Sequence, residues 1–473
     1  MAEAAKKGRR VLAGLVLVPM MVSFAPSAAK NRLTEVLEEG ELRVVTRHSA
    51  TTYFQGPDGP GGVEYELARK FADLLGLKLK VVAAANVEGV LDTLAAGEAD
   101  LAAAGLTVTE ARQKRFRFTP PYQQVREQVV YRSGTPRPDD LQDMAAPIEV
   151  VAGSSHAERL RRLHSETPGM EWIENGGLDI GDLLHLVSEG VVDYAVADSN
   201  EFRLNRRYYP ELRTAFNLTE PQPLAWAFPK DEDDSLYRAA VAFFERIRAD
   251  GELQHVLDRY YGHIDSFDYV GMRVFQRHFR ERLPTYRYLF EAAAEETGLE
   301  WQLLAAVAYQ ESHWDPNAVS PTGVRGLMML TQATASQVGV ADRTDPPQSI
   351  RGGARYLDHL MAKIPERIGE PDRLWLALAA YNVGFQHLED ARILTESQGG
   401  NPDRWADVKK RLPLLRKKKW YQQTDHGYAR GDEAAQYVEN IRTYHDILLW
   451  LTSRERLPRP EPTRALEIAS PTL

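Results

Sequence analysis

One carboxylate in the C-terminal half of the sequence lies in a setting that suits acid chemistry. Within the stretch LLAAVAYQESHWDP, the apolar residues Leu304, Val307 and Ala308 precede Glu311 at the spacing of one helix face. Pro316 predicts the end of this helix one turn later, so Glu311 is expected near the negative end of the helix dipole. Burial and the dipole both favour the protonated carboxyl group. Protonating a glycosidic oxygen requires such a neutral carboxylic acid.

Two other interpretations of this region remain open. Glu311 can be a buried glutamate whose hydrogen bonds are satisfied within the fold and which has no chemical role. Asp315 is the nearest second carboxylate, and its position just before Pro316 favours a turn cap over chemistry. Glycoside hydrolases usually use two carboxylates, but no second acidic residue in this half lies in a comparable setting.

Several motifs around and beyond Glu311 resemble the lytic transglycosylases, a family of glycan-cleaving domains similar to goose lysozyme. They occur in order over roughly residues 284–450 and are Glu311-Ser312, Asn317-Ala318, Ser320-Pro321-Thr322-Gly323, Gly326-Leu327-Met328, Ala380-Tyr381-Asn382-Val383-Gly384 and Tyr437-Val438-Glu439-Asn440-Ile441. The resemblance implies that Glu311 alone acts as acid and base on the β-1,4 bond between N-acetylmuramic acid and N-acetylglucosamine. Glu311 would then accept the proton of the muramic C6 hydroxyl, and a 1,6-anhydro ring would form without hydrolysis.

The same resemblance implies a glycan groove around Glu311. The residues that it assigns to substrate binding are Ser312, Ser320, Met328, Tyr381, Asn382 and Tyr437. Met328 and Tyr381 can also be ordinary core residues, which is the usual place for such side chains. Gly323 and Gly326 suit a turn that brings backbone donors close to a sugar. Many members of the family have Gln where this chain has Met329, which puts one polar contact in question.

The elements that must hold these residues divide the chain into two halves. Over residues 30–267, β-like runs alternate with helix-like segments, which predicts an α/β fold. The strands are predicted at 42–46, 77–83, 100–104, 148–152 and 193–197, and the helices at 64–75, 87–96, 156–164 and 181–188. Over residues 268–473 the pattern predicts an all-α domain with helices at 284–297, 301–313, 349–365, 372–384, 404–418 and 432–451. Asp265-Ser266-Phe267-Asp268 marks the expected domain boundary.

The N-terminal half resembles the periplasmic amino-acid-binding family of solute receptors. The matching residues are the stretch GLTVTEAR at 105–112, Phe116, Phe118, Pro120-Pro121-Tyr122, Gly153-Ser154-Ser155 and residues 193–198. The resemblance implies a two-lobed domain like that of periplasmic binding proteins, followed here by an all-α, lysozyme-like domain. It implies that Arg112 binds a ligand carboxylate, a task that suits the planar guanidinium, and that Asp198 holds the ligand amine. Thr107, Ser154 and Ser155 would assist. A receptor fold that no longer binds a ligand is the alternative.

Composition excludes several other classes of protein. The 473 residues include no cysteine, which excludes disulfide scaffolds, thiolate nucleophiles and iron–sulfur clusters. A net charge of −9 and a pI of about 5.8 argue against a nucleic-acid binder. We expect neither a cofactor nor a metal. The basic run RKKKWY at 416–421 is typical of a solvated loop, although a weak contact with the carboxylates of murein peptides is possible.

The first 29 residues predict export. Four basic side chains within residues 1–10 precede an apolar run at 11–24 and the small residues Ser27, Ala28 and Ala29, the layout of a secretory signal. An uncleaved membrane anchor is the alternative, but about 14 apolar residues interrupted by Pro19 are short for a spanning helix. The resemblance of the catalytic half implies a periplasmic enzyme that associates peripherally with the outer membrane.

Together the two halves imply a murein-degrading lytic transglycosylase whose receptor-like domain binds a small murein peptide or amino acid and modulates cleavage. Its expected partners are peptidoglycan glycan strands, this small ligand and the outer membrane, but not nucleic acid. Two alternatives stay open. One is a cell-wall peptide sensor whose helical domain holds glycan without turnover, and the other is an ordinary muramidase that hydrolyses the bond.

Overall fold

The computed structural model describes residues 31–56, 59–164, 169–264, 269–320 and 323–456. The predicted export signal, the predicted boundary at 265–268, Pro321-Thr322 and the tail after residue 456 lie outside the described residues. The described chain has a two-lobed α/β half followed by a helical half, which confirms the predicted fold class. The domain limits 30–267 and 268–473 stay predictions.

The first lobe of the α/β half is a mixed five-stranded sheet. Its strands, in order across the sheet, are β4 (Lys78–Ala84), β1 (Glu41–Arg47), β5 (Leu101–Ala102), β14 (Ala227–Pro229) and β6 (Phe116–Phe118). Its helices are α1 (Arg32–Glu39), α2 (Val63–Leu75), α3 (Val87–Ala95), α4 (Glu110–Arg115), α8 (Ser235–Ala249) and α9 (Glu252–Tyr261), and β2 (Phe54–Gly56) with β3 (Gly59–Gly61) forms a small hairpin. Leu42 and Val44 on β1 join one buried cluster and Val45 joins another, because successive strand residues point to opposite faces. Both faces of this sheet are therefore covered.

The second lobe has the same layered construction. Its strands, in order, are β10 (Trp172–Asn175), β9 (Ile148–Val151), β11 (Tyr194–Asp198), β8 (Glu127–Arg132) and β12 (Leu212–Asn217), and its helices are α5 (Ser155–Leu163), α6 (Ile180–Glu189) and α7 (Ser199–Arg206). The chain crosses between the lobes at β7 (Gln123–Val125) and β13 (Gln222–Leu224), which pair with each other antiparallel. Two adjacent crossing strands of three residues each form a natural hinge.

The sequence pattern predicts nine of the elements of the α/β half, and eight of these nine agree with the structure. All four predicted helices and four of the five predicted strands agree with the observed elements to within one residue at each end. The fifth strand is wrong in length, because only Leu101–Ala102 of the predicted 100–104 is a strand. The pattern does not predict β8 and β12, in which the apolar pairs Val129-Val130 and Ala215-Phe216 are too short to give a clear alternation.

The helical half is built around one long core. Its helices are α10 (Tyr269–Glu281), α11 (Leu283–Thr297), α12 (Trp301–Ser312), α13 (Gln332–Gln337), α14 (Pro346–Lys363), α15 (Asp372–Val383), α16 (Phe385–Ser397), α17 (Trp405–Val408), α18 (Lys418–Tyr421) and α19 (Gly431–Arg456), with a 3₁₀ helix at Leu412–Arg416. Helix α12 lies at the centre, and every residue from Leu303 to Tyr309 is buried. A helix buried on all sides is surrounded by other helices, here α11, α14 and α19. The apolar face predicted around Glu311 therefore extends right round this helix.

One helix prediction in this half is wrong. The predicted helix at 404–418 is broken into α17, the 3₁₀ helix and the start of α18, because Pro413 lacks an N–H and its ring clashes with the preceding turn of an α-helix. Helix α12 ends at Ser312, within one residue of the predicted 301–313. His313 and Trp314 take left-handed φ angles of 52° and 55°, and the Trp314 indole donates back to the Ala305 carbonyl at 2.8 Å.

The two halves meet along α19. Arg442 Nη2 donates to the carbonyls of Asp258 (3.3 Å) and Arg259 (2.7 Å) in the α/β half. Thr443 Oγ1 donates to the His263 carbonyl (3.3 Å), and the Asp446 carboxylate accepts from Arg207 and from His263 Nε2 (2.8 Å). The Trp450 ring stacks on Tyr208 with centroids 4.8 Å apart. Helix α9 belongs to the first lobe, whereas Arg207 and Tyr208 directly follow α7 of the second lobe. One helix of the helical half therefore contacts both lobes of the other half.

Across the ranges that the structure describes, no helix combines enough length with enough apolar character to cross a bilayer.

Candidate functional site

Glu311 lies in the last turn of α12, next to a residue from the far end of the chain. Its Oε1 accepts a hydrogen bond of 2.7 Å from the hydroxyl of Tyr437 on α19. Burial raises the pKa of Glu311 to about 7, and the Tyr437 hydrogen bond acts in the opposite direction. Within the part of the chain that the structure describes, Glu311 forms no ion pair. Near neutral pH this carboxyl group can therefore both donate and accept a proton.

Three tyrosines from three helices form a wall beside Glu311. The rings of Tyr381 and Tyr437 stack with centroids 6.4 Å apart, and Tyr356 on α14 packs against Tyr381 at 5.3 Å. The Tyr381 hydroxyl donates to the Met328 carbonyl at 3.0 Å. Burial and the nearby Glu311 carboxylate raise the pKa of Tyr437 well above its ordinary value. The Tyr437 hydroxyl is therefore a permanent donor toward Glu311 at neutral pH.

The loop after α12 is held in one conformation. Gly326 has a φ of 97°, and a Cβ added there would lie 2.0 Å from the Arg343 carbonyl oxygen. Met329 also takes a positive φ, of 46°. The Met328 N–H donates to Ser349 Oγ at 3.1 Å, and Ser312 Oγ lies 2.9 Å from the Leu327 carbonyl. The end of α12 and the start of α14 thus fix the loop beside Glu311.

Two of the predicted substrate residues point into the core. Ser312 is buried, and its hydroxyl contacts the Ala308 and Leu327 carbonyls at 3.0 and 2.9 Å. Met328 is fully buried, and its side chain fills the space over Gly353, where an added Cβ would lie 2.5 Å from Met328 Cε. In this structure both side chains hold the loop after α12. Their contact with substrate stays a prediction.

The other predicted residues differ in exposure, and Tyr437 is the most buried of them. Asn382 is exposed at the end of α15, next to Tyr381, and Ser320 is partly exposed, with its Oγ accepting from the Val324 N–H at 2.9 Å. Tyr381 and Tyr437 lie beside Glu311, as described above. Asp315 Oδ1 accepts from the Asn317 N–H at 2.9 Å, which agrees with the turn-cap interpretation. The substrate contacts of Ser320, Tyr381, Asn382 and Tyr437 stay predictions.

The sequence gives no signal for two further residues of this site. Ser349 is fully buried in the first turns of α14, and its Oγ accepts a hydrogen bond from the Met328 N–H. Tyr356 packs against Tyr381 and completes the aromatic wall. A serine or tyrosine inside a helix has many possible roles. The roles of Ser349 and Tyr356 become visible only in the structure, because α14 contacts parts of the chain that are distant from it in sequence.

The predicted ligand residues of the α/β half lie together in the cleft between the lobes. One cavity is lined by Thr107 and Arg112 from the first lobe and by Ser154, Ser155 and Asp198 from the second. Ser155 Oγ lies 3.4 Å from Thr107 Oγ1, so the two lobes touch across the cleft. The five residues are therefore brought into one site, although their contacts with a ligand stay predictions.

Arg112 is buried and already has partners within the protein. Its Nε donates to Glu158 Oε1 at 2.9 Å, and its Nη1 and Nη2 donate to the carbonyls of Thr107 and Gly153, each at 3.2 Å. A guanidinium has five N–H groups, so one remains on each terminal nitrogen. This is the pair of donors that a ligand carboxylate can bridge.

Asp198 is also paired before any ligand enters. Its Oδ1 lies 3.2 Å from Nε2 of the buried His156. Burial disfavours the charged imidazole, but the hydrogen bond and the charge of Asp198 raise the pKa of His156 above its ordinary value. The carboxylate at the start of α7 therefore faces the cleft with its charge partly compensated.

Three charged residues of the cleft received no role from the sequence. Arg47 of the first lobe donates to Glu201 of the second at 2.6 Å, and both side chains are buried. Asp179, which caps α6, also lines the cavity, and burial raises its pKa. Ion pairs between residues about 150 positions apart have no local signature, so sequence patterns do not reveal them.

Comparison with protein families assigns each half separately. Residues 42–263 match the model of bacterial extracellular solute-binding proteins, family 3, and residues 288–403 match the transglycosylase SLT domain. The two matches agree with the division into an α/β half and a helical half.

Curated relatives cover almost the whole chain. Membrane-bound lytic murein transglycosylase F 1 of Alkalilimnicola ehrlichii is 53% identical over 433 residues, covering 91% of this chain and 88% of that protein. Membrane-bound lytic murein transglycosylase F of Saccharophagus degradans is 49% identical over 440 residues, with coverages of 93% and 88%. The protein of the same name from Ectopseudomonas mendocina is 48% identical over 465 residues, with coverages of 97% and 94%.

The strain at Gly326 gives a test of how firmly the loop is held. Gly326→Ala should destabilise the protein by about 3 kcal/mol, because the new Cβ meets the Arg343 carbonyl and alanine is strained at this φ. Gly323→Ala is the matched control, since Gly323 has a φ of 80° but open space around it, and it should cost only about 1 kcal/mol. Urea denaturation measures both. Equal losses would contradict a close approach at Gly326.

The hydrogen bond from Tyr437 should set the pKa of Glu311. Tyr437→Phe removes the donor that stabilises the carboxylate, so the pKa of Glu311 should rise above about 7. Carboxyl carbon NMR of selectively labelled protein measures this titration directly. Tyr356→Phe is the control, because Tyr356 packs on Tyr381 instead of Glu311. A fall in the pKa of Glu311 in Tyr437→Phe would contradict the assigned direction.

Proposed function

The chain belongs to the family of membrane-bound lytic murein transglycosylases F, and we propose that Glu311 is the single acid and base of its reaction. As a member of this family, the chain is a lytic transglycosylase that degrades murein and has a ligand-binding N-terminal half. The relatives do not favour the alternatives of a non-catalytic sensor or an ordinary hydrolase. One observation supports the role of Glu311 above all: a half-buried carboxyl group with a pKa of about 7 lies at the centre of the helical half.

In the first step Glu311 acts as an acid. Its proton moves to the glycosidic oxygen, and the bond from that oxygen to C1 of the N-acetylmuramic acid breaks. The oxygen leaves as the hydroxyl of N-acetylglucosamine, and positive charge develops at C1. The Glu311 carboxylate that remains is stabilised by the Tyr437 hydroxyl at 2.7 Å.

In the second step Glu311 acts as a base. The C6 hydroxyl of the same N-acetylmuramic acid attacks C1, and its proton returns to the Glu311 carboxylate. The acid is regenerated, a 1,6-anhydro ring forms, and no water is consumed. Because the substrate supplies the nucleophile, the second carboxylate of a hydrolase is not needed.

The surrounding residues divide into two groups. Ser320, Tyr381 and Asn382, whose side chains are not fully buried, contact the sugar. Ser312 and Met328 act indirectly, because they hold the backbone of the loop that faces the substrate. A site that uses one carboxylate for two proton transfers depends on such fixed positioning.

The α/β half binds a small ligand in the cleft and regulates cleavage. The free N–H groups of Arg112 bridge the ligand carboxylate, and Asp198 accepts from its amine, with Thr107, Ser154 and Ser155 alongside. Amino-acid binding agrees with the family of this half. We infer that the natural ligand is a small peptide or amino acid released from murein, because its concentration reports the activity of the enzyme itself.

Two helices connect the ligand cleft to the catalytic residue. Helix α7 follows directly on Asp198 in the cleft and ends next to Arg207, which contacts Asp446 on α19. Nine residues before Asp446, the same helix α19 holds Tyr437 against Glu311. Rotation of the lobes about their hinge changes the distance between α7 and α9, and α19 contacts both. Ligand-induced closure therefore acts on the position of Tyr437.

We also propose that the enzyme works in the periplasm, peripherally attached to the outer membrane. The predicted signal over residues 1–29 supports export. The curated relatives are named membrane-bound, which agrees with an enzyme of the cell envelope.

The catalytic proposal predicts the behaviour of one isosteric change. Glu311→Gln removes the titrating group and should reduce release of soluble fragments from purified murein by about a thousandfold or more. Asp315→Asn is the matched control, because Asp315 caps a turn nearby, and it should keep most of the activity. Full activity of Glu311→Gln, or a comparable loss in Asp315→Asn, would overturn the assignment. Mass spectrometry of wild-type products should find anhydro ends, lighter by one water than the reducing ends of hydrolysis.

The regulatory proposal predicts a separation of binding from response. Arg207→Gln removes the contact with Asp446, so stem peptides released from murein should still bind the full chain but should no longer change its turnover. Calorimetry measures the binding and fragment release measures the turnover. Arg112→Ala should lose the binding itself.

The control for this separation is Arg161→Gln. Arg161 pairs with Glu174 on the exposed surface of the second lobe, so its loss should leave both binding and response intact. An unchanged peptide response in Arg207→Gln would rule out the route through α7 and α19.

A further inference from the structure

A surface patch of three lysines has no part in the mechanism above. Lys417, Lys418 and Lys419 are exposed at the start of α18. Among the residues that the structure describes, none of the three has a carboxylate within ion-pair distance. Lys419 Nζ lies over the ring of Trp420, 4.8 Å from its centroid. We call Lys417, Lys418 and Lys419 the lysine patch.

The basic residues just before the patch are, by contrast, compensated. Lys409 Nζ lies 2.7 Å from Asp258 Oδ1, Lys410 Nζ lies 3.9 Å from Asp407 Oδ1, and Arg416 pairs with Asp432. No acidic residue occurs between Val408 and Thr424 in the sequence. The lysine patch is therefore the part of this basic segment whose charge is available to an external anion.

Aromatic residues next to the lysine patch pack against the rest of the helical half. Trp420 packs against the hydrophobic core of the helical half, which fixes the short helix α18. The ring of Tyr421 meets that of the exposed Tyr428 edge-on, with centroids 5.8 Å apart. The lysines thus extend from a rigid base, while their own side chains stay free to follow a variable partner.

The patch is attached to α19, which carries Tyr437, and to α16, which follows Asn382 in the chain. Arg416, directly before it, pairs with Asp432 in the first turn of α19, about 7.5 Å along that helix from Tyr437. The loop that follows α18 is tied to α16 by His426, whose Nδ1 lies 3.1 Å from Asp390 Oδ1. Helix α16 begins immediately after Asn382-Val383-Gly384. The segment that carries the patch is therefore joined to the start of α19 and to α16.

We propose that the lysine patch binds the carboxylates of the peptide stems on the murein strand that occupies the groove. This inference rests on the murein-cleaving function given above. Murein is an anionic polymer because its peptides carry carboxylates, and these stems recur along the strand. Exposed lysines that reach several positions suit a partner of this kind better than one rigid donor does. Each exposed contact is weak, so the patch acts through the number of its contacts and is sensitive to salt.

The test compares two substrates. In the triple variant Lys417→Gln, Lys418→Gln, Lys419→Gln, the KM for peptide-bearing glycan strands should rise by roughly tenfold at low salt, with kcat unchanged. On strands from which an amidase has removed the peptides, the variant should match the wild type. At about 0.5 M NaCl, where charges are screened within a few ångströms, the difference between variant and wild type should disappear.

The matched control is the double variant Lys78→Gln, Lys80→Gln. These two lysines are exposed on β4 of the α/β half, far along the chain from the groove, and their loss should change neither KM. Thermal unfolding monitored by circular dichroism checks that each variant is folded. A triple variant with unchanged KM on peptide-bearing strands, or with an equal loss on both substrates, would overturn the proposal.

Two further outcomes are distinguishable. If the wild type releases no anhydro products from either substrate, the cleavage function fails and the subsite with it. In the other outcome, the wild type cleaves both kinds of strand while the triple variant loses only its binding to vesicles of anionic phospholipid. In that case the lysine patch binds a lipid surface, and the proposed murein subsite is overturned.

Discussion

The contact between the Glu311 carboxyl group and the Tyr437 hydroxyl is the constraint on which the rest of the helical half depends. Burial alone would hold Glu311 protonated and make it a poor base, and full exposure would leave it ionised and make it a poor acid. Burial raises the pKa of Glu311, the hydrogen bond from the neutral Tyr437 hydroxyl at 2.7 Å lowers it, and the resulting pKa is about 7. The fold must therefore bring the ends of α12 and α19, 126 positions apart in sequence, within hydrogen-bond distance.

The loop between α12 and α14 meets the second requirement, which is to present backbone groups to the substrate without moving. Its conformation requires glycine at Gly326 and a positive φ at Met329, and such strain persists only where the surroundings enforce it. Ser312 and Ser349 supply this enforcement from two different helices. Residues that look like ligands of a sugar in the sequence are thus partly residues that hold the loop.

Sequence patterns could predict the fold class, several elements of the α/β half, and the position of Glu311 near the end of a buried helix, because each leaves a local trace in periodicity or motif. The patterns failed where the outcome depended on distant contacts. The left-handed turn after α12 depends on Trp314 bonding back to Ala305, and the buried position of Met328 depends on space left by Gly353. The partners of Arg112 depend in the same way on closure of the two lobes. None of these contacts has a counterpart in local spacing.

The charges in the cleft determine how large the regulation can be. Arg47 pairs with Glu201 and Arg112 with Glu158, so two ion pairs join the lobes. A ligand cannot shift the lobes by binding tightly alone, because only a difference in affinity between the open and closed arrangements changes their populations. It must add contacts across the cleft beyond those that these pairs supply. Helix α19 contacts both lobes and also positions Tyr437, so a change in the lobes can reach the Glu311 site. The free energy available for that effect cannot exceed the difference between the ligand's binding free energies for the open and closed arrangements.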